Sequence, residues 1–252
     1  MVRKSQASSS PPPPLILALE TSGTCGSVAL VDGGGCRAEY SLQSSRTHSR
    51  RLLDAVAGLM RECETDWAQL DAIAVSLGPG SFTGLRIGLS SAKGLALATA
   101  KPLIGISSLD GLAVQGGQQP LPVCALIDAR KQEVFAGFYQ VSPAPKDSPA
   151  GPAEAGPIGG LRRCRPFLAL PPRDLAAMIT EPTLLLGSGA QLYRDLLQQE
   201  LGVLALFAPP QLCFARAAAI GMLAQAQWRQ GDFLDPARAT PIYVRSSDAQ
   251  LP

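Results

Sequence analysis

The chain has 252 residues, 46% hydrophobic and 17% charged, with a formal net charge of +2. That length suits one large domain or two compact ones with ordinary buried cores. The small net charge makes the chain alone a poor candidate for strong nucleic-acid binding, so any contact with RNA is expected to be weak or shared with a partner.

Residues 1–14 end in three serines and four prolines and read as a disordered extension. Arg3 and Lys4 resemble the start of a signal peptide. The apolar run 15–19 is too short for its hydrophobic region, however, and no stretch approaches the roughly 20 apolar residues that span a bilayer. A cytoplasmic protein is expected. The six cysteines (Cys25, Cys36, Cys63, Cys124, Cys164, Cys213) include no Cys-x-x-Cys pair. They read as small buried hydrophobes rather than as metal ligands or a disulfide framework.

Taken in chain order, 15–20 is an apolar strand, followed by the turn Thr21-Ser22-Gly23-Thr24 and by strands at 27–31 and 37–42 that complete a β-meander. A helix begins near residue 47, with Leu52, Val56, Leu59, Met60 and Cys63 at helical spacing. Residues 71–77 form a buried strand that turns at Gly78-Pro79-Gly80 into a helix over 84–98. A strand at 103–106, a helix at 109–114 and strands at 122–127 and 133–139 follow. Residues 142–160, rich in proline, glycine and alanine, read as a loop or linker. Beyond them lie helices at 173–179, 191–199 and 214–229 and a strand at 183–186. The spacing predicts an N-terminal lobe over 15–115 and a C-terminal lobe over 116–252 that is short of strands and reduced.

His48 is the only histidine, which excludes a two-histidine zinc motif and leaves a Ser-His-Asp triad only this one residue to be built around. It stands at a helix start beside Thr47 and Ser49, where a capping role is expected. No Gly-x-Ser-x-Gly elbow follows a strand. Segment 78–88 joins a buried strand to a helix, and its glycines let a ligand or another chain approach the backbone. Its spacing fits neither a Walker loop nor a dinucleotide fingerprint, so a tight turn and a phosphate site stay open there. On the helix that follows, Gly84, Gly88, Ser91, Ala92 and Leu95 fall on adjoining positions. Packing on the protein's own sheet and a subunit interface are evenly balanced for this face.

Three further spots occupy the places of nucleotide-binding turns in actin-like folds: Glu20-Thr21-Ser22, Asp128-Ala129-Arg130, and Gly187-Ser188-Gly189-Ala190 ahead of a helix. Together with 19–22, His48-Ser49, 78–88, 127–130 with Glu133-Val134, and 241–245, the chain resembles the TsaB (YeaZ) family, a paralogue of the TsaD group, over residues 15–245. The resemblance implies an actin-like α/β fold of the ribonuclease H-like kind. It also implies a role in making threonylcarbamoyladenosine beside the anticodon of ANN-decoding tRNAs. In that family TsaD holds the catalytic metal, TsaB pairs with it through helices of its N-terminal lobe, and the ATPase TsaE joins them.

By that similarity, Leu52, Val56, Leu59, Gly84, Leu85, Gly88, Ser91, Ala92 and Leu95 are expected at the contact with TsaD, and the balance on the small-residue face tips towards an interface. A homodimer through the same face is expected to be available when the partner is absent. Residues 76–252 contain no histidine, so the His-x-x-x-His metal pair of TsaD-like proteins cannot form. A non-catalytic subunit is expected, with no metal site, tRNA reached through the complex, and no membrane. No cofactor is assigned to this chain alone. Thr21, Ser22, Asp128, Gly187 and Gly189 are the candidate nucleotide residues, and ATP or ADP is left to the complex. The rival enzyme classes are a glycoprotease-like peptidase and an actin-superfamily small-molecule kinase, for which only Glu20 and Asp128 stand at suitable turns. Arg162, Arg163 and Arg165 are a candidate RNA contact, weighed against a solvated surface cluster.

Overall fold

The structure, a computed structural model, describes residues 12–43, 48–117, 119–141 and 160–245, with side chains for all of these but 48–50. Most of the expected N-terminal extension and nearly all of the 142–160 loop lie outside the described residues.

The first lobe is a five-stranded sheet. Its elements are β1 (Ile16–Glu20), β2 (Cys25–Asp32), β3 (Gly35–Gln43), α1 (His48–Glu62), β4 (Ala72–Gly78), α2 (Phe82–Thr99) and β5 (Leu103–Ser107). The strand order is β3-β2-β1-β4-β5, with β1, β2 and β3 antiparallel and β1, β4 and β5 parallel. Both faces are covered, which is why the central strands read as continuous apolar runs. Leu17, Leu19, Val28, Leu30, Ile73 and Val75 pack under α1 and α2. Ile16, Ala18, Ala29, Val31, Ala72 and Ala74 alternate with them and fill the opposite face. α2 starts two residues before the expected 84, because the Ser81 hydroxyl caps it by accepting from the Gly84 N–H at 3.2 Å.

The second lobe comprises α3 (Ser108–Ala113), β6 (Val123–Arg130), β7 (Glu133–Val141), β8 (Leu161–Arg163), β9 (Leu168–Leu170), α4 (Pro172–Ala176), β10 (Thr183–Leu186), α5 (Ser188–Leu192), α6 (Arg194–Leu201), β11 (Ala205–Phe207) and α7 (Ala217–Gln230). Its sheet runs β11-β10-β6-β7-β8, with β9 also on β7. The sheet of this lobe has six strands, against five in the first. The expectation that it is short of strands fails on β8, β9 and β11, each only three residues long.

The two sheets share one plan, a hairpin followed by parallel crossover strands. They also exchange helices. α3 packs with Val123, Ala125, Ile127 and Tyr139 of the second sheet. α7, after the last strand, brings Ala217, Ile220 and Ala224 onto the first. The start of α7 is held from β3, where Glu39 accepts the Ala218 N–H at 3.0 Å and pairs with Arg216. The Ser27 hydroxyl accepts the Ala217 N–H at 2.9 Å. Glu39→Ala is expected to lower stability by about 2 kcal/mol and Glu39→Gln by about half of that, read from urea midpoints, because the glutamine keeps an acceptor for the helix and loses only the charge.

After α7 the chain returns along the open edge of the first sheet. The Leu234 N–H donates to the Leu103 carbonyl at 2.8 Å, and the Ile242 N–H to the Leu77 carbonyl at 2.7 Å. The first bond pairs the outer edge of β5 at its start, and the second reaches the end of β4, where its pairing with β5 is irregular. Among the described residues no helix is long and apolar enough to cross a membrane.

Candidate functional site

β1 and β4 are parallel neighbours, so their C-terminal ends deliver Glu20-Thr21-Ser22 and Gly78-Pro79-Gly80 to the same end of the sheet. The two turns lock together. The Ser81 N–H donates to the Ser22 carbonyl at 2.7 Å, and the Thr21 hydroxyl donates to the Gly84 carbonyl at 2.8 Å. A Cβ on Gly84 would stand 2.1 Å from the Thr21 carbonyl oxygen, and one on Gly88 would stand 2.1 Å from Thr21 Oγ1. The glycines of α2 therefore serve a close approach inside this chain. Of the nine residues expected at an interface, Leu52, Val56, Leu59, Gly84, Leu85, Gly88 and Ala92 are buried in the fold, while Ser91 and Leu95 are partly exposed. Leu53, half-exposed, and Leu97, 71% exposed, point outward from α1 and α2 instead. Their signal in the sequence is a large apolar residue out of phase with the buried stripe.

Glu20 ends β1 and is almost fully buried. One carboxyl oxygen accepts the Ser22 N–H. The other has no hydrogen-bond partner, and neither does the nearby Ser76 hydroxyl on β4. Burial pushes the Glu20 carboxyl up from an ordinary 4.5 to about 7, against the opposing pull of hydrogen bonding from Ser22.

The candidate nucleotide residues are each engaged within the chain. Thr21 and Ser22 hold α2 as described. Asp128 donates its N–H to the Ser188 hydroxyl at 3.2 Å, and its carboxylate accepts the Arg130 N–H at 2.9 Å and pairs with that guanidinium at 3.3 Å. Gly187 and Gly189 seat the start of α5 on β6, where a Cβ on Gly187 would lie 2.2 Å from the Leu126 carbonyl oxygen. His48 is the first residue of α1, and its side chain lies outside the described residues.

The arginine trio divides. Arg163 pairs with Asp110 at 2.5 Å, Asp110 also accepts from the Tyr139 hydroxyl at 2.8 Å, and Arg163 stacks on Phe167. Burial raises the Asp110 carboxyl even against the Arg163 charge. Arg165 lies over Phe138, and Arg162 reaches Gln140 at 3.3 Å. The three therefore do not form one free cationic cluster.

Residues 241–245 close the site. Tyr243 meets Phe82 with ring centroids 6.0 Å apart, the Arg86 guanidinium sits 3.8 Å over the Phe82 ring, and Arg245 pairs with Glu133 at 2.8 Å. Glu133 flanks the β6–β7 turn, where Arg130, Lys131 and Gln132 take φ of 61°, 51° and 62°. Four separate segments of the sequence, 19–22, 78–88, 127–134 and 241–245, thus meet at one end of the molecule. Sequence reasoning did not find Phe82, Arg86 or Tyr243 as a cluster.

The family model for TsaD, tRNA N6-adenosine threonylcarbamoyltransferase, matches residues 41–251. TsaB of Bacillus subtilis, a tRNA threonylcarbamoyladenosine biosynthesis protein, is 28% identical over 93% of this chain and 96% of its own length. Its namesake in Escherichia coli is 41% identical over 50% of this chain and 54% of its own. YeaZ from Pseudomonas aeruginosa superposes with a TM-score of 0.73 at 29% identity, covering 91% of this chain and 99% of that one. The ethanolamine utilization protein EutJ from Carboxydothermus hydrogenoformans, at 10% identity and a TM-score of 0.51 over 86% and 92% of the two chains, shares the fold alone.

Proposed function

We infer the function from the family, for the chain belongs to the TsaD-type threonylcarbamoyltransferase family and, within it, to the TsaB (YeaZ) group with its actin-like α/β fold. It takes part in the biosynthesis of threonylcarbamoyladenosine in tRNA. Within that pathway we place it as a non-catalytic cytoplasmic subunit. It pairs with a TsaD homologue, is joined by the ATPase TsaE, and supports transfer to the adenosine beside the anticodon of ANN-decoding tRNAs.

The observation that carries the pairing is the α1–α2 layer. The two helices cover one face of the first sheet with their inner sides closed, and they present Leu53 and Leu97 to the outside. Exposed leucines on a rigid helical layer are suited to burial against a partner's helices. The missing histidine pair between residues 76 and 252 supports a supporting role over the transferase role. ATP or ADP, in this reading, is held by the assembled complex, since Thr21, Ser22, Gly187 and Gly189 are engaged in the fold of this chain.

Light scattering on a mixture with the TsaD homologue of the same organism tests the pairing. A heterodimer mass is expected for the wild type. The double variant Leu53→Asp/Leu97→Asp is expected to bind about 100-fold more weakly or worse while melting as the wild type does. A wild type that stays apart from TsaD under every nucleotide condition overturns the partner role.

A further inference from the structure

We propose that the surface of Phe82, Arg86, Tyr243 and Arg245 with the Arg130–Lys131 turn binds single-stranded RNA, as presented by the anticodon loop of the tRNA. The choice of RNA rests on the pathway assigned above; the surface itself is a matter of geometry. Phe82 and Tyr243 are large rings left 48% and 50% exposed. They stand against each other at 6.0 Å, with a guanidinium plane stacked at 3.8 Å on the first. Unpaired bases are held by such aromatic faces and guanidinium planes, whereas a paired duplex keeps its bases out of reach.

The rings are fixed from behind. The Ile242 N–H is tied to the Leu77 carbonyl at 2.7 Å, and the Arg245–Glu133 ion pair at 2.8 Å anchors the segment to the other lobe. That ion pair also carries the surface on to the β6–β7 turn. There three successive non-glycine residues adopt left-handed backbone, a conformation that the surrounding structure must enforce. The turn offers Arg130 with its side chain 79% exposed, steered by Asp128 at 3.3 Å. Arg86 lies over the Phe82 ring and the Arg130 guanidinium is largely exposed on the neighbouring turn, so cationic groups flank the rings where a phosphate would pass. So small a set of cations agrees with a contact made jointly with a partner subunit.

The test is fluorescence anisotropy with a labelled anticodon stem-loop bearing an ANN anticodon, and with an RNA duplex of equal length. Both are titrated into the chain alone and into its mixture with the TsaD homologue. Tyr243→Ala and Arg86→Gln are each expected to weaken stem-loop binding roughly tenfold, while Tyr243→Phe leaves it unchanged. Arg130→Gln is expected to make the log–log salt dependence shallower by about 0.7. Melting temperature and light-scattering mass with TsaD are expected to stay as in the wild type. Stem-loop affinity unchanged in all three variants overturns the proposal, as does equal affinity for the duplex. Loss of the TsaD complex in these variants overturns it too, by assigning the surface to the protein partner. A wild type that never pairs with TsaD overturns the partner role instead, and the titration of the chain alone then decides this inference by itself.

Discussion

Gly84→Ala is expected to lower stability by about 3 kcal/mol or more, read as a fall in the urea midpoint at unchanged slope. The added methyl would meet the Thr21 carbonyl oxygen at 2.1 Å, and both the helix and the β1 turn that create this contact are buried backbone. No rotamer change relieves such a clash; α2 would have to lift from the sheet and give up the Thr21–Gly84 bond of 2.8 Å. Gly88→Ala meets a different obstacle, the Thr21 hydroxyl at 2.1 Å. That oxygen belongs to a side chain, so Thr21→Ala opens the space. The pair Gly88→Ala/Thr21→Ala is therefore expected to be less destabilised than the sum of its singles, and Gly84→Ala/Thr21→Ala is expected to show no such relief. Equal coupling in both pairs would mean that α2 is not seated on β1 as described. A bulky residue at Gly88 consequently reports on the fold of this chain, and partner binding is better probed at Leu53 and Leu97.

The contrast between Gly84 and Leu53 also marks how far the sequence could be read. β1, β4, β5, β6 and β7 were legible because each is a run of apolar residues between turn signals, and sheets covered on both faces demand such runs. β8, β9 and β11 were not, since three residues carry too little alternation to stand out from a loop. The small residues of α2 were legible as a close-approach face, but periodicity says which side of a helix is small and not what lies against it. Thr21 lies 63 positions before Gly84, and only the parallel pairing of β1 with β4 brings them together. The same reason hid the docking of α7 on the first sheet and the meeting of Phe82 with Tyr243. The motifs of the site were therefore visible one by one, while their assembly depended on crossover connections that no local pattern encodes.

Between pH 4.5 and pH 8, Glu20 carries the pH dependence with the largest expected amplitude. Its carboxyl is held in the fold at a pKa of about 7 by burial, against an ordinary 4.5 in the unfolded chain. Between those values the folded state binds more protons than the unfolded one, so stability falls as pH rises. The contribution is fully present below about pH 4.5, is lost progressively up to about pH 7, and amounts to about 3 kcal/mol. Glu20→Gln removes the titration and keeps the local bonds. Its carbonyl accepts from the Ser22 N–H, and its amide supplies a donor to the Ser76 hydroxyl that now lacks a partner. At pH 5 the two proteins are expected to melt within a few degrees of each other. At pH 8 the variant is expected to melt roughly 6–12 °C higher. Asp110, whose carboxyl is also raised by burial, tilts both curves in the same sense and cancels in their difference. Melting curves for wild type and variant that run parallel from pH 5 to pH 8 would show that Glu20 is ionised at little cost, and that the turn beneath α2 is solvated rather than sealed.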